Sequence, residues 1–200
     1  VVGLAVGIIS SLKPNSLLDR GTMFLALTGI SAPVFWVGLL LILIIGVNLK
    51  WLPPIGYGGV EYLILPAITL GTRSAAFLAR ITRATMLDVL QQDYIRTARA
   101  KGLPEWKVVL KHAFPNTLIP IITIIGVDFG SYLSGAVLTE SIFGWPGIGR
   151  FALDAILKRD FPVIQGTVLF AAMMFILANL IVDLLYGVVD PKVRLERSNG

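Results

Sequence analysis

The chain has 200 residues, of which 56% are hydrophobic and 14% are charged, and its mean hydropathy is +0.81. Soluble domains carry about 25% charged residues, so this composition argues against a soluble protein. The absence of cysteine excludes disulfides and thiolate metal sites, and His112, the single histidine, cannot form a histidine metal cluster. A net charge of +5 would suit nucleic acid, but the basic residues are distributed as in a membrane protein.

Five apolar segments follow one another along the chain, and a backbone in lipid must satisfy its own polar groups, which favours helices. Residues 21–49 and 161–182 contain no charged side chain, and about 20 apolar residues span a bilayer core. The sequence therefore predicts an all-α, polytopic transmembrane helix bundle with four full spans and a truncated first one. The five segments are Val1–Leu12, Thr22–Val47, Tyr62–Ile81, Thr117–Thr139 and Phe161–Val182.

The first segment is too short to cross a membrane, because residues 1–12 span roughly 18 Å as a helix. The chain also begins inside this apolar stretch, without Met and without the charged region that opens a signal peptide. We expect the sequence to be a fragment of a longer protein whose N-terminal part is missing.

The Lys and Arg residues predict the orientation of the spans, since cytoplasmic loops carry the excess of positive charge. Residues 13–21, 80–116 and 187–200 together hold 12 Lys and Arg residues, whereas the loops between them on the opposite side hold 4. The first set is therefore predicted to be cytoplasmic. This pattern accounts for the basic charge, so we expect a lipid bilayer as the surrounding partner and no nucleic acid.

The stretch from Asp88 to Pro120 is too polar for the membrane and too regular for a linker. Residues 92–101 favour a short helix, and Gly102 favours a break. Pro104 suits the first position of a second helix, which Pro115 is expected to end. An apolar face on this helix must be buried on the protein's own helices, on lipid headgroups or in a groove of a partner. That face consists of Trp106, Val109, Leu110 and Ala113, spaced i, i+3, i+4 and i+7.

The same stretch resembles the cytoplasmic loop of ATP-binding-cassette (ABC) importer permeases, in particular the dipeptide/oligopeptide/nickel branch with its DppB/OppB-like subunits. The resemblance rests on residues 94–103, Tyr-Ile-Arg-Thr-Ala-Arg-Ala-Lys-Gly-Leu, and 111–116, Lys-His-Ala-Phe-Pro-Asn. Aligned on Gly102, only Ala98 matches the Glu-Ala-Ala triplet of the general family loop, a departure typical of the peptide branch. Further similar stretches occupy residues 17–20, 29–36, 79–86, 139–149 and 190–194.

The resemblance implies a non-catalytic permease subunit that forms the translocation path for di- or oligopeptides or, alternatively, for nickel chelates. Residues 1–188 would form the transmembrane domain, which includes a coupling loop at 88–116, and residues 189–200 a cytoplasmic tail. The coupling loop would dock in a groove of a separate ATPase. The residues expected to couple are Arg96, Thr97, Ala98, Arg99, Lys101, Gly102, Leu103, Trp106, Lys107 and His112.

The implied assembly lies in the inner membrane and contains two ATP-binding subunits, a homologous but not identical second permease, and an extracytoplasmic substrate-binding protein. The chain has no Gly-x-x-x-x-Gly-Lys-Ser/Thr phosphate loop, so we expect no cofactor on it, with ATP and Mg²⁺ on the partner ATPase. An intramembrane enzyme would need more clustered polar groups. A secondary transporter or channel is the other alternative, but it has no reason to carry a coupling loop.

Arg73 and Asp128 lie near the middle of predicted spans, where a lone charge costs at least about 2.5–3.5 kcal/mol. One hypothesis places both on the translocation path, where they could pair with each other; the alternative is an ion pair without substrate contact. Gly126, Gly130 and Ser134 recur every four residues and predict close helix packing, either with a second permease or within this chain.

The stretch from Phe143 to Phe161 is predicted to be an outer loop that is rich in glycine and then amphipathic. It could lie on the membrane surface, act as a gate, or meet a substrate-binding protein. The three carboxylates in and beside this loop do not form a convincing catalytic acid pair; they are Glu140, Asp154 and Asp160. The predicted apolar face comprises Phe151, Ala152, Ala155 and Ile156.

Overall fold

The computed structural model describes residues 1–133 and 136–189, with side chains to residue 185. The described residues contain helices and no strand, in agreement with the predicted all-α class. The helices are α1 (Val2–Leu12), α2 (Leu17–Ser31), α3 (Val34–Leu41), α4 (Glu61–Leu90), α5 (Asp93–Ala100), α6 (Glu105–Lys107), α7 (Leu118–Leu133), α8 (Val137–Phe143), α9 (Ile148–Lys158) and α10 (Phe161–Val189). Three segments of other helical geometry adjoin these α-helices. Wider π-helical segments follow α3 at Ile42–Asn48 and α6 at Val108–Ala113, and a tighter 3₁₀ turn precedes α7 at Phe114–Thr117.

Three helical segments of the described chain are long and apolar enough to cross a membrane. They are Glu61–Leu90, Glu105–Leu133 and Phe161–Leu185. A fourth crossing arises if α2 and the run Val34–Asn48 count as one broken span, bent by 102°. With the bent pair counted as one span, the number of crossings agrees with the four full spans predicted, and α1 is a shorter apolar helix.

The second predicted segment, Thr22–Val47, is not one straight helix as expected, because it breaks at Pro33. Proline has no N–H to donate and disfavours helical backbone in the residue before it. Pro33 itself is extended, with φ −60° and ψ 132°, and α3 begins only at Val34.

Three helix ends differ from the bounds of the predicted apolar segments. The third segment was expected to end at about Ile81, whereas α4 continues to Leu90. Thr139 belongs not to the fourth span but to the separate helix α8, since Ala136 has non-helical backbone before it. The last helix, α10, extends beyond the predicted Val182 to Val189.

The chain divides into two compact units, and the first comprises residues 1–28, 75–126 and 180–200, of which residues up to 189 are described. In this unit α1 packs on α4 through glycine. A Cβ on Gly3 would collide with the carbonyl oxygen of Ala75, and one on Gly7 would lie 2.6 Å from that of Ala79. Small residues allow such close approach of two backbones. The remaining core of the unit lies under residues 91–117, hereafter the arm.

The second unit comprises residues 29–74 and 127–179. Its centre is Phe143, which is fully buried at the end of α8. A Cβ on Gly38 of α3 would lie 3.3 Å from the Phe143 ring and 3.2 Å from the Thr69 side chain, so the three elements meet closely. The Phe143 carbonyl also accepts a 2.8 Å hydrogen bond from the N–H of Gly56, which holds the loop after α3 against this core.

Candidate functional site

The arm is built from two short helices joined at Gly102. Helix α5 begins after Gln92, as predicted, and Gly102 has φ +76°, a conformation that glycine adopts without steric cost. Pro104 precedes the second helix as its N-cap rather than occupying its first position, and Glu105 begins it. The glutamate carboxylate at this end is favoured by the helix dipole.

Pro115 does not end the second helix, contrary to the sequence prediction. It lies at the start of the 3₁₀ turn Phe114–Thr117, where its missing N–H costs nothing, and helical backbone continues directly into α7. The arm and the following span are therefore one helical run from Glu105 to Leu133. Because α4 reaches Leu90, the arm also starts slightly later than the predicted boundary at residue 88.

A small hydrophobic core holds the arm on its own chain. Its buried members are Met86, Ile95, Ala98, Val108, Val109 and Ala113, with Ile8, Val89, Leu90, Leu103 and Phe114 packed around them. These residues come from α1, α4 and both halves of the arm. The arm is therefore a packed extension of its unit and not a free loop.

The predicted apolar face of the second helix is divided between the arm core and the surface. Val109 and Ala113 are buried, whereas Trp106 is 62% exposed and Leu110 55% exposed. The cause is the π-helical turn at Val108–Ala113, in which hydrogen bonds close five residues apart and so change the rotation between successive side chains. Val108 turns into the core in their place.

The ten residues predicted to couple fall into two groups. Ala98 belongs to the core of the arm, Leu103 packs against it, and His112 is half-buried. The other seven are exposed: Arg96, Thr97, Arg99, Lys101, Gly102, Trp106 and Lys107. The Lys107 ammonium lies 5.4 Å from the centre of the Trp106 ring, a cation–π contact on the open face. The exposed face thus combines apolar area with basic groups.

An ion pair bridges the turn at Gly102. The Arg99 guanidinium donates to both carboxylate oxygens of Glu105, at 2.6 Å and 3.1 Å. The side chains are 41% and 54% exposed. Hydrogen bonding to Glu105 raises the pKa of Arg99, which is charged at all accessible pH values. The pair thus spans the turn between the two helices of the arm.

A second arginine–carboxylate pair, which the sequence analysis missed, lies in the same unit. Arg83 of α4 donates to both oxygens of Asp19, at 2.5 Å and 2.6 Å. Asp19 is 2% exposed and Arg83 22% exposed. The Asp19 carboxylate also accepts the N–H of Asn15 at 2.8 Å, in the turn between α1 and α2. A separation of 64 residues leaves no local signal for this pair.

The structure does not pair Arg73 with Asp128. Within the described residues the ion pairs are Asp19–Arg83, Asp93–Arg96 and Arg99–Glu105. Arg73 is exposed on α4 and Asp128 is half-buried on α7, both in the second unit.

A hydroxyl link joins α4 and α7 close to these two charges. The Tyr132 hydroxyl donates to the carbonyl oxygen of Leu70 at 3.2 Å and lies 2.5 Å from the Ser74 hydroxyl. Tyr132 is one helical turn after Asp128, and Ser74 directly follows Arg73.

The predicted small-residue positions on α7 that are described both face α10. A Cβ on Gly126 would collide with the Val182 side chain, and one on Gly130 would lie 3.0 Å from the Phe175 ring and 3.3 Å from the Cβ of Ala178. These contacts are packing within the chain. Ser134 and the basic residues of the tail after residue 189 lie outside the described residues.

The outer loop is organised by Glu140. Its carboxylate accepts the N–H of Ala136 at 3.0 Å and that of Arg150 at 2.7 Å, and thereby caps the N-terminus of α9. Gly147 lies so close that a Cβ there would touch this carboxylate. Glu140 therefore has a structural role.

Helix α9 carries the predicted apolar face and flanks an open pocket. Ala155 on that face is buried, whereas Phe151 and Ile156 are more than half exposed. The pocket, of about 560 Å³, is lined by Tyr57, Gly144, Pro146, Gly147, Ile148, Arg150, Phe151 and Asp154. No group of His, Asp or Glu side chains within residues 1–133 and 136–185 is arranged to hold a metal ion.

Comparison with known proteins identifies relatives that are similar to this chain over almost all of its 200 residues. Residues 3–195 match the family described as "binding-protein-dependent transport system inner membrane component". The "Di/tripeptide transport system permease protein DppB" of Pseudomonas aeruginosa (strain UCBPP-PA14) is 45% identical, over 98% of this chain and 66% of its own length. The "Dipeptide transport system permease protein DppB" of Escherichia coli (strain K12) is 44% identical, over 96% of this chain and 66% of its own length.

A third relative, the "Glutathione transport system permease protein GsiC" of Escherichia coli (strain K12), is 47% identical over 97% of this chain and 63% of its own length. The chain thus spans slightly less than two thirds of these relatives. Among solved structures, a chain of the inward-facing MetNI methionine ABC transporter superposes with a TM-score of 0.72 at 17% identity, covering 94% of this chain and 86% of that one. This likeness confirms the predicted transmembrane helical fold.

Proposed function

Since the chain belongs to the family of binding-protein-dependent transport system inner membrane components, in its dipeptide/oligopeptide branch, we propose that it is the permease subunit of an ATP-driven importer. In this proposal the arm is the cytoplasmic contact for a separate ATPase, and the spans form part of the path for di- or oligopeptides. The observation that carries the proposal is the arm itself, which is packed on its inner side and open on its outer side.

The open face of the arm has the chemistry of a protein interface. Trp106 and Leu110 expose more than half of their surface, and the Lys107 ammonium lies 5.4 Å from the centre of the Trp106 ring. Tryptophan and arginine are enriched among the residues that dominate binding energy at such interfaces. The core beneath keeps the face in one conformation, so docking requires little loss of conformational freedom.

The continuous helix from the arm to Leu133 provides a route from the ATPase to the membrane. A partner that displaces residues 105–117 must also displace α7, because no flexible linker separates them. The chain has no phosphate-binding loop, and so the proposal assigns ATP and Mg²⁺ to two ATP-binding subunits. A second, non-identical permease and an extracytoplasmic binding protein complete the assembly.

Peptides are the proposed cargo because the similar permeases carry the names of dipeptide, di/tripeptide and glutathione systems, and glutathione is itself a tripeptide. Arg73 and Asp128 are proposed to lie along the path, where they offer opposite charges to the two ends of a peptide. Arg73→Gln and Asp128→Asn should then lower uptake per inserted molecule while leaving insertion unchanged. Loss of insertion with normal uptake per inserted molecule would assign these residues a purely structural role.

The test of the overall function is reconstitution of the full-length protein with its partner subunits in proteoliposomes. We expect ATP-dependent uptake of labelled di- and tripeptides, and no uptake without the ATPase. Uptake of a nickel chelate, with no uptake of peptides, would change the proposed cargo to nickel chelates. Uptake driven by an ion gradient without ATP would refute the importer assignment.

A substitution in the arm tests the docking face. Trp106→Ala should weaken binding of the ATPase by about 2 kcal/mol or more, which is roughly thirtyfold in Kd, with the permease still inserted. Trp51→Ala removes a tryptophan that is 74% exposed, against 62% for Trp106, from the second unit, where no ATPase contact is proposed, and serves as the matched control. Equal ATPase binding by both variants would show that the arm is not the docking face.

A further inference from the structure

The helices α1 and α2 do not adjoin the arm along the chain, so a movement of the arm reaches them mainly through contacts. Helices α4 and α7 adjoin the arm directly, at Leu90 and Leu118. The arm begins 60 residues after the end of α2 at Ser31, at Gln91. Noncovalent contacts with α4 and the arm must therefore attach α1 and α2 to the segments that the ATPase would displace.

The contacts of α1 with the rest of its unit are mostly close but non-directional. Gly3 and Gly7 lie against the α4 backbone, and Ile8 packs at the edge of the arm core. Apolar and small-residue contacts of this kind tolerate sliding, because they depend weakly on orientation. They do not by themselves fix the position of the turn between α1 and α2.

The Asp19–Arg83 pair is the directional contact of this turn. Both nitrogens of the guanidinium fork bind one carboxylate, a geometry that restricts distance and angle together. Asp19 further accepts the N–H of Asn15, which has φ +62°, and its own N–H donates to the Ser16 hydroxyl at 3.2 Å. The carboxylate thus organises the turn and attaches it to α4 at the same time.

Arg83 lies one helical turn before Met86, a fully buried member of the arm core. The pair and the core are therefore consecutive attachments on one rigid helix. We propose that Arg83 and Asp19 are positioning residues that lock the α1–α2 turn to α4, so that displacement of the arm is transmitted to α1 and α2. This inference rests on the proposed importer function, since it assigns a route for the motion that the ATPase would impose.

The first test measures geometry. The chain has no cysteine, so Lys13→Cys and Gln91→Cys introduce two spin labels at exposed positions on either side of the pair. In the complete, reconstituted importer the distance distribution between the labels should be narrow, and it should stay unchanged when a non-hydrolysable ATP analogue is added. In the additional presence of Arg83→Lys, which keeps the charge but not the fork, the distribution should broaden and depend on nucleotide.

The second test measures coupling. Arg83→Lys should raise the ATP hydrolysed per peptide imported at least about threefold, and Arg83→Gln more strongly, with uptake expressed per inserted molecule. Arg80→Lys, on the same helix but exposed and outside the ion pairs found among residues 1–133 and 136–185, is the matched control and should behave as the parent. Arg83 is chosen over Asp19 because substitution of Asp19 would also disrupt the turn that it caps.

The outcomes separate this inference from the proposed function. If the parent complex imports no peptide with ATP, the importer assignment fails. The label distances in the parent and in Arg83→Lys still test whether the Asp19–Arg83 pair attaches the α1–α2 turn to α4. If the parent imports and Arg83→Lys keeps both a narrow distance distribution and normal coupling, the lock is refuted. Broadened distances with normal coupling, or lost coupling with unchanged distances, also contradict the proposal, because it requires the two changes to occur together.

Discussion

Two tight turns in the first unit are built from the same parts but differ in burial. The α1–α2 turn contains Asn15 at φ +62°, and the turn of the arm contains Gly102 at φ +76°. Each turn carries a bidentate arginine–carboxylate pair: Arg99 and Glu105 bridge the turn of the arm, whereas Arg83 of α4 binds Asp19 from outside the α1–α2 turn. Asp19 is 2% exposed, whereas Glu105 is 54% exposed.

This difference in burial predicts different roles. A buried carboxylate that loses its partner keeps the full cost of desolvation, so a buried pair holds its two segments firmly together. An exposed pair gains little over solvation by water and is screened by salt. The turn of the arm must therefore derive its shape mainly from its backbone and its apolar core, and the α1–α2 turn depends on its ion pair.

The largest effect is expected when the buried pair is broken. Arg83→Met leaves Asp19 buried without its counter-charge and should lower the free energy of unfolding by about 3–5 kcal/mol. The measurement is denaturation of the purified complex in mixed detergent micelles. Arg80→Met removes an exposed arginine from the same helix, whose contact is a cation–π contact with Phe77, and should cost less than about 1 kcal/mol. Equal losses for the two variants would mean that burial does not distinguish them.

Features that depend on neighbouring residues, such as the backbone of the arm turn, are the ones that the sequence predicts well. The Gly102 break, the helix after Gln92 and the extended apolar spans follow from local signals, namely glycine, helix caps and hydrophobic length. Each of these signals acts within a few residues, and each led to a correct prediction except that the second span breaks at Pro33. The family resemblance of residues 94–103 belongs to the same class of local pattern.

Features that depend on distant contacts or on irregular helix geometry were not predictable in the same way. The Asp19–Arg83 pair joins residues 64 positions apart, and nothing near Asp19 indicates its partner. The exposed positions of Trp106 and Leu110 follow from a π-helical turn, whereas the prediction assumed α-helical spacing. Glu140 was evaluated only as a catalytic acid, because its role as a cap depends on α9 folding back onto α8.

A smaller effect is expected from the backbone of the arm turn. Gly102→Ala places a Cβ where no other atom lies within 4 Å, so the substitution adds backbone strain without a clash. The left-handed conformation should cost about 1–2 kcal/mol, measured by the same denaturation. Asn15→Gly is the matched change at the other turn, and we expect a shift below about 1 kcal/mol because asparagine tolerates this conformation and glycine adopts it freely. A larger loss at Asn15 than at Gly102 would reverse the assignment of which turn depends on its backbone.

The smallest effect is expected at the exposed pair of the arm. Glu105→Gln removes the charge while keeping the shape of the side chain, and it should lower the free energy of unfolding by about 0.2–1 kcal/mol. The difference between parent and variant should shrink as the ionic strength rises from about 0.1 M to about 1 M, because the Debye length falls from about 10 Å to about 3 Å. The corresponding difference for Arg83→Met should persist at high salt, since Asp19 lies away from solvent. A salt-insensitive loss at Glu105 would indicate that this pair, too, is shielded from water and that the arm turn is held by charge as firmly as the first one.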